Sequence, residues 1–443
     1  MRLLSLIDKR TLRHGRRLWL HYGVFWLGAI AVGLIAVLYA QLIDFGYSLF
    51  LFYVNQFPWL PLLVTPTVSA ACVWITMRFF PGAEGSGIPQ VIATLHGSTT
   101  VLGERLLTLR ILVGKIAVSF LAILGGFTIG REGPTIQVGA ALMFNLRVFY
   151  PQRFRSIAGA QLERRLALAG AAAGLSAAFN APLAGVVFAI EELTRSFEQR
   201  ASGVLITAII FAGIVALGVS GNYTYFGTID VGTRFPDDLA LAVVLTGMIA
   251  GVAGGIFCWL LLNTKRWMPT IVVRLRARSP IVFGALCGLA VGFIGYVSGG
   301  HTFGSGYTEA RGMLEGHVHL TALYPLLKLA SMIGSYLPGV PGGIFAPSLS
   351  IGAGIGNALH LLFSQMQLPM LIALGMVGYL AAVTQSPITA FVIVMEMING
   401  HALVISLMAT ALIASRISRL FAPPLYEALA QRYGHLAISK PKS

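Results

Sequence analysis

The chain repeats itself, and that repetition limits its possible folds more than any other feature. Gly85-Ser86-Gly87-Ile88 returns as Gly304-Ser305-Gly306-Tyr307. Lys115 precedes Pro134 by 19 residues, and Lys328 precedes Pro347 by 19. Gly130 and Gly343 share a 213-residue offset with Gly139 and Gly352. Gly170, Pro182 and Glu191 are matched by Gly375, Pro387 and Glu396 at an offset of 205. The order is kept while the offset drifts, as in an old duplication whose loops have since changed length. Such a chain folds into two similar units, and in membrane proteins internal repeats commonly enclose a transport site at their interface.

The apolar runs place the duplication in a membrane. Those at 24–38, 204–219 and 239–262 approach or exceed the roughly 20 residues that span a bilayer. Only 11% of residues are charged, against about 25% in soluble chains. With no water for the backbone, a spanning segment is a helix or part of a closed barrel. Alternating barrel strands do not produce continuous apolar runs, so the expected class is an all-α polytopic membrane protein. A basic amphipathic helix at 1–17, carrying Leu3, Leu4, Ile7 and Leu12, is expected on the cytoplasmic surface. The first transmembrane repeat is read at 18–220, a polar separator at 221–238, the second repeat at 239–420, and a cytoplasmic C-terminal segment at 421–443 with no room for a regulatory domain.

The formal net charge of +15 comes largely from clusters between apolar runs, from Lys9 to Arg17, Arg147 to Arg165, Lys265 to Arg278 and beyond Arg416. That distribution fits the positive-inside rule and anionic lipid headgroups, with both termini cytoplasmic. No aromatic-basic pattern points to nucleic acid. Cys72, Cys258 and Cys287 lie in apolar segments and read as packing residues. His317 and His319 are isolated, so neither a metal nor another cofactor is expected. The chain has no HExxH, GxSxG or Walker A motif, and an enzyme is not expected. The apolar run after the basic N-terminus is too long for a signal-peptide core, so no cleavage is expected.

Three Gly-rich segments each precede a predicted helix: Gly85-Ser86-Gly87-Ile88-Pro89, Gly130-Arg131-Glu132-Gly133-Pro134 and Gly342-Gly343-Ile344-Phe345-Ala346-Pro347. Proline suits the first helical position, and glycine before it allows close backbone approach. Each start presents N–H groups and the positive end of a helix dipole, an anion site without a full positive charge. Such a site can hold a halide weakly enough to release it. Glu132 lies inside the second segment, and a carboxylate within a membrane is costly enough to imply function. Ionised, it would compete with an anion; protonated, it would leave. Glu191 and Glu192 end the apolar run at 181–190. Glu191 is matched by Glu396, which suggests a structural pair and leaves Glu192 as the functional candidate. Lys115 and Lys328 are paired in the same way and suggest a structural or electrostatic role near the anion path. Tyr426 alone reads as an interfacial aromatic anchor.

These motifs resemble the CLC family of chloride channels and chloride/proton antiporters, over about 20–430 and with all three signature segments in order. The resemblance implies a CLC-type inverted repeat of tilted, partly spanning helices in a homodimer, each subunit with its own pathway. It implies chloride coordination by Ser86 and Tyr426, with the amides of Ile344 and Phe345 facing the ion. Gly87, Ile88, Gly130, Arg131, Glu132 and Gly133 complete the expected chloride-binding set. Glu132 resembles the external gating glutamate, Glu192 the internal proton-transfer glutamate typical of exchangers, and Lys115 a buried lysine that supports the site electrostatically. Gln90 departs from some bacterial relatives, which carry Glu there. The fluoride-selective branch departs at the serine and tyrosine positions, so Ser86 and Tyr426 favour chloride. The expectation is chloride/proton exchange in a bacterial plasma membrane; a voltage- or pH-gated passive channel is the alternative.

Overall fold

A computed structural model describes residues 23–434 apart from 98, 151, 195–202, 222–225 and 228–236. The expected helix at 1–17, most of the separator and the tail from 435 lie outside the described residues.

The first unit runs through α1 (Val24–Gln56), α2 (Pro61–Phe79), α3 (Ile88–His96), α4 (Thr99–Leu106), α5 (Leu109–Leu124), α6 (Glu132–Asn145), α7 (Gln152–Phe179), α8 (Pro182–Phe188) and α9 (Gly203–Ser220). The second runs through α10 (Leu239–Leu262), α11 (Thr270–Arg278), α12 (Pro280–Val297), α13 (Tyr307–Leu314), α14 (Tyr324–Tyr336), α15 (Phe345–Leu359), α16 (Leu368–Thr384), α17 (Pro387–Ile398) and α18 (Val404–Ser418). A short α19 (Leu425–Ala430) follows and has no counterpart in the first unit. Outside the helices the described residues form a single β-bridge, Gly130 to Gly343.

Length sorts these helices. Among the described residues five are long and apolar enough to cross a bilayer, α18 counting only with the turn before it (His401–Ser418), and the α4–α5 pair, bent by 43°, would make a sixth. The 33 residues of α1 reach about 50 Å at 1.5 Å per residue, well past a hydrocarbon core of about 30 Å, so α1 tilts. The nine residues of α3 and the 14 of α6 fall short of a span. Their starts lie inside the protein, the only place non-helical backbone is tolerated at membrane depth. Buried from Met370 to Thr384, α16 forms the centre of the second unit.

The repeat landmarks explain the packing. A Cβ on Gly139 would strike the Gly170 carbonyl, and one on Gly352 would strike the Gly375 carbonyl. The matched glycines are therefore where α6 meets α7 and α15 meets α16, backbone against backbone. A Cβ on Gly375 would also lie 2.7 Å from the Gly356 amide nitrogen. Gly375→Val is therefore expected to lower stability by at least about 2 kcal/mol, since a rigid backbone cannot yield to an added side chain. Melting of the detergent-solubilised protein would measure this. Gly218→Ala, where no atom lies within 4 Å, should leave the melt unchanged.

Repeat mates also pack on each other. Gly284, Gly288 and Gly292 of α12 lie against α2, where the Ser69 hydroxyl donates to the Gly284 carbonyl at 2.6 Å. Helices α8 and α17 are likewise in contact. The Glu191 carboxylate accepts from the amides of Ile388 (3.1 Å) and Thr389 (2.6 Å), at the start of α17. The Glu396 carboxylate accepts from Leu183 (3.1 Å) and Ala184 (2.7 Å), at the start of α8. Each glutamate thus satisfies the open N–H groups of the other repeat's helix. This is the structural role that their matching spacing predicts.

Candidate functional site

The three Gly-rich starts meet. Gly130 and Gly343 exchange both backbone hydrogen bonds, at 2.8 and 2.7 Å, which sets the N-termini of α6 and α15 side by side. Gly85 joins the second loop, donating to Gly339 at 3.4 Å and accepting from Gly342 at 3.0 Å. A Cβ on Gly133 would lie 3.0 Å from the Ser86 carbonyl and 3.3 Å from the Gly343 α-carbon. Glycine is needed here for close approach. At Gly87, φ of +93° also requires it for the turn into α3. No side chain caps α3, α6 or α15, so their first N–H groups remain directed at the junction.

Two hydroxyls accompany these amides. Ser86 is 1% exposed and Tyr426 is fully buried, and neither side-chain oxygen has a hydrogen-bond partner among the described residues. A buried hydroxyl without a partner costs a few kcal/mol and calls for an explanation. Tyr426 is no interfacial anchor: α19 inserts against α3, and the Tyr426 ring packs on Phe345 with centroids 6.1 Å apart. Phe345 also meets Phe179 at 5.8 Å and Phe188 at 6.3 Å, an aromatic wall beside the junction. Tyr426 is near enough to both Glu132 and Glu192 to interact with their charges.

Glu132 is 1% exposed at the start of α6. Its carboxylate folds back over Gly130, so that a Cβ there would collide with it, and Ala346 closes the other side. The carboxylate therefore lies among the helix starts, where an anion would be attracted. Its neighbour behaves differently. The Arg131 guanidinium turns away to Asp44 at 2.7 Å and to the Ala40 carbonyl at 3.1 Å, both on α1. The Arg131 guanidinium is thus held on α1, while its backbone belongs to the junction.

Glu192 is also 1% exposed, on the π-turn Ala189–Thr194 that extends α8. Its carboxylate accepts a hydrogen bond from the Ser386 hydroxyl at the start of α17. Adjacent glutamates thus bind one helix start, Glu191 through amides and Glu192 through Ser386. Lys115 is fully buried and donates to the Gly85 carbonyl at 2.9 Å and the Glu84 carbonyl at 3.5 Å. By holding those carbonyls, it turns the opposite face of the Gly85 loop toward the junction. Lys328 does the same in the second repeat, reaching Thr302, Phe303 and Gly304 at 3.0–3.1 Å. Gln90 braces the loop through Glu84 at 2.6 Å.

Sequence reading passes over three of these partners. Asp44 of Arg131 and Ser386 of Glu192 are single polar residues on distant segments. Gln137, whose side chain packs on Gly87, sits within a helix and has no motif around it. Only Ser386 carries a signal, since it precedes Pro387, the repeat mate of Pro182.

Residues 68–419 match the family described as voltage gated chloride channel. The H(+)/Cl(-) exchange transporter ClcA of Salmonella arizonae is 32% identical over 375 residues, which cover 81% of this chain and 76% of that protein. Among solved structures, a slow cyanobacterial Cl-/H+ antiporter aligns with a TM-score of 0.78 at 25% identity, over 94% of this chain and 98% of the other. A CLC-type fluoride/proton antiporter aligns with a TM-score of 0.77 at 19% identity, over 92% and 96%, a likeness of fold alone.

Proposed function

The chain belongs to the voltage-gated chloride channel (CLC) family, whose members are membrane transport proteins and not enzymes, and from that premise we propose that it exchanges chloride for protons. The observation that carries the reading is the junction itself. Three uncapped helix starts, the Ser86 and Tyr426 hydroxyls and the Glu132 carboxylate converge there. Uncapped amides and unpaired hydroxyls offer an anion hydrogen bonds without a full positive charge. Chloride and the ionised Glu132 compete for that place. When Glu132 takes a proton it loses its hold on the amides, swings out and leaves the place to chloride. Glu192, held by Ser386 and near enough to Tyr426 to interact with it, passes protons between Glu132 and the C-terminal side.

The chain is an integral multi-pass membrane protein. Its setting in this reading is a bacterial plasma membrane, with both termini cytoplasmic and Glu132 gating from outside. The assembly in this reading is a homodimer meeting through α8, α9, α17 and α18. Leu183, Ile214, Ile388 and Ile405 all point outward there, and the two glutamate caps fix the helices that carry Leu183 and Ile388.

The test uses liposomes of purified protein with an outward chloride gradient and voltage held near zero by potassium and valinomycin. Protons driven uphill by chloride are the expected result. Chloride movement without protons would replace exchange by a passive channel.

A further inference from the structure

Beneath the Gly85 loop, on the side of the C-terminus, lies a cavity of about 660 Å³. That volume falls within the roughly 300–1,000 Å³ of small-molecule sites and far exceeds the needs of a single halide. Its wall contains Arg276 from α11 and Arg432 from the turn after α19. Neither has an acidic partner among the described residues. Arg276 has only a long hydrogen bond to Thr264 at 3.5 Å and the face of Phe283 at 5.6 Å. Burial and then the nearby Arg432 charge push the Arg276 guanidinium below its ordinary value. Two cations are thus held close with neither in a direct ion pair among the described residues. The acid in the wall, Glu84, is already engaged, accepting from the Gly82 amide at 2.8 Å and the Tyr433 hydroxyl at 3.1 Å. The rest of the lining is Arg105, Gln90 and Thr264 together with leucine, proline, glycine and the rings of Tyr336 and Tyr433.

We propose that this cavity binds an organic phosphate from the C-terminal side, its phosphate on Arg276 and Arg432 and its organic body against Tyr336 and Tyr433. Paired guanidinium forks match phosphate oxygens, and the aromatic and aliphatic walls suit an apolar or ring-bearing body. The cavity backs directly on Gly85 and Pro89, next to Ser86. An occupant therefore slows anion exchange between that side and the junction. The binding claim stands alone; the inhibitory consequence rests on the proposed chloride path.

Calorimetry on the full chain in detergent, with adenosine triphosphate and a short-chain phosphatidylinositol phosphate as probes, separates a soluble source from a lipid headgroup. Binding of either supports the site. Pyrophosphate alone and adenosine alone are expected to bind more weakly than the triphosphate. Arg276→Gln with Arg432→Gln should weaken binding at least about tenfold while the unliganded melt stays unchanged. Should that variant melt early, displacement of the triphosphate from the native protein by pyrophosphate supports the site, and lack of displacement overturns it. The proposal is overturned if neither probe binds, or if binding is unchanged in the double variant. In liposomes the triphosphate on the C-terminal side should slow chloride efflux; equal slowing by sulfate at matched ionic strength overturns the inhibitory claim as mere screening. Failed binding with intact exchange removes the site and leaves the function, and binding without chloride movement does the reverse.

Discussion

Replacing Glu132 by Gln is expected to stop proton movement while chloride continues to flow. The amide has the same shape, so the fold around Gly130 and Ala346 is retained. It cannot ionise, so it neither competes with chloride as an anion nor carries a proton. Loss of a positioned proton-transfer group costs about 100-fold or more in rate, so the proton flux should fall into background. The chloride ligands, Ser86, Tyr426 and the open amides, are untouched. Parallel chloride and pH electrodes on one liposome sample read both fluxes. Proton uptake that persists in this variant would remove Glu132 from the exchange.

Glu192→Gln should have an effect on protons of similar size by a different route. The Ser386 hydroxyl that donates to the Glu192 carboxylate can donate to the amide oxygen as well. The side chain therefore keeps its place on the start of α17 while losing its protonation. Chloride flux is expected to survive, because the Glu192 carboxylate is held at the start of α17 and the substitution leaves Ser86, Tyr426 and the open amides of α3, α6 and α15 untouched. Proton flux should drop by about 100-fold. Normal exchange in this variant would take Glu192 out of the proton route and turn attention to Glu191.

What the sequence makes legible and what it hides follow physical lines. The helical class is plain because a membrane forces long apolar runs. The matched glycines are legible because close backbone approach tolerates no other residue, and they stand at the α6–α7 and α15–α16 contacts. Glu191 and Glu396 are legible because both copies kept them. Spacing does not reveal that they cap each other's repeats, since that depends on the docking of the two units. Tyr426 is hidden from repeat spacing for the opposite reason and enters only through the family resemblance. Helix α19 has no mate in the first repeat, and an isolated tyrosine near a chain end resembles any surface aromatic. Spacing also cannot separate a side chain from its backbone, and so Arg131 counts as a site residue in sequence although its guanidinium is committed to Asp44. The second copy of the Gly-Ser-Gly turn leaves no comparable space: a Cβ on Gly306 would meet Ser350 and Lys328, which fill the space around it.

The crossed glutamate caps also put a clock on biosynthesis. The amide of Ala184 receives its carboxylate from a residue made 212 positions later. At about 5–20 residues per second, the start of α8 waits roughly 10–40 s for that partner. In hydrocarbon an unsatisfied amide costs several kcal/mol, so the nascent first half keeps this end near water or the insertion machinery until the second half arrives. A ribosome that stalls between the repeats therefore leaves an unfinished half, and quality control can recognise it by that exposed helix start.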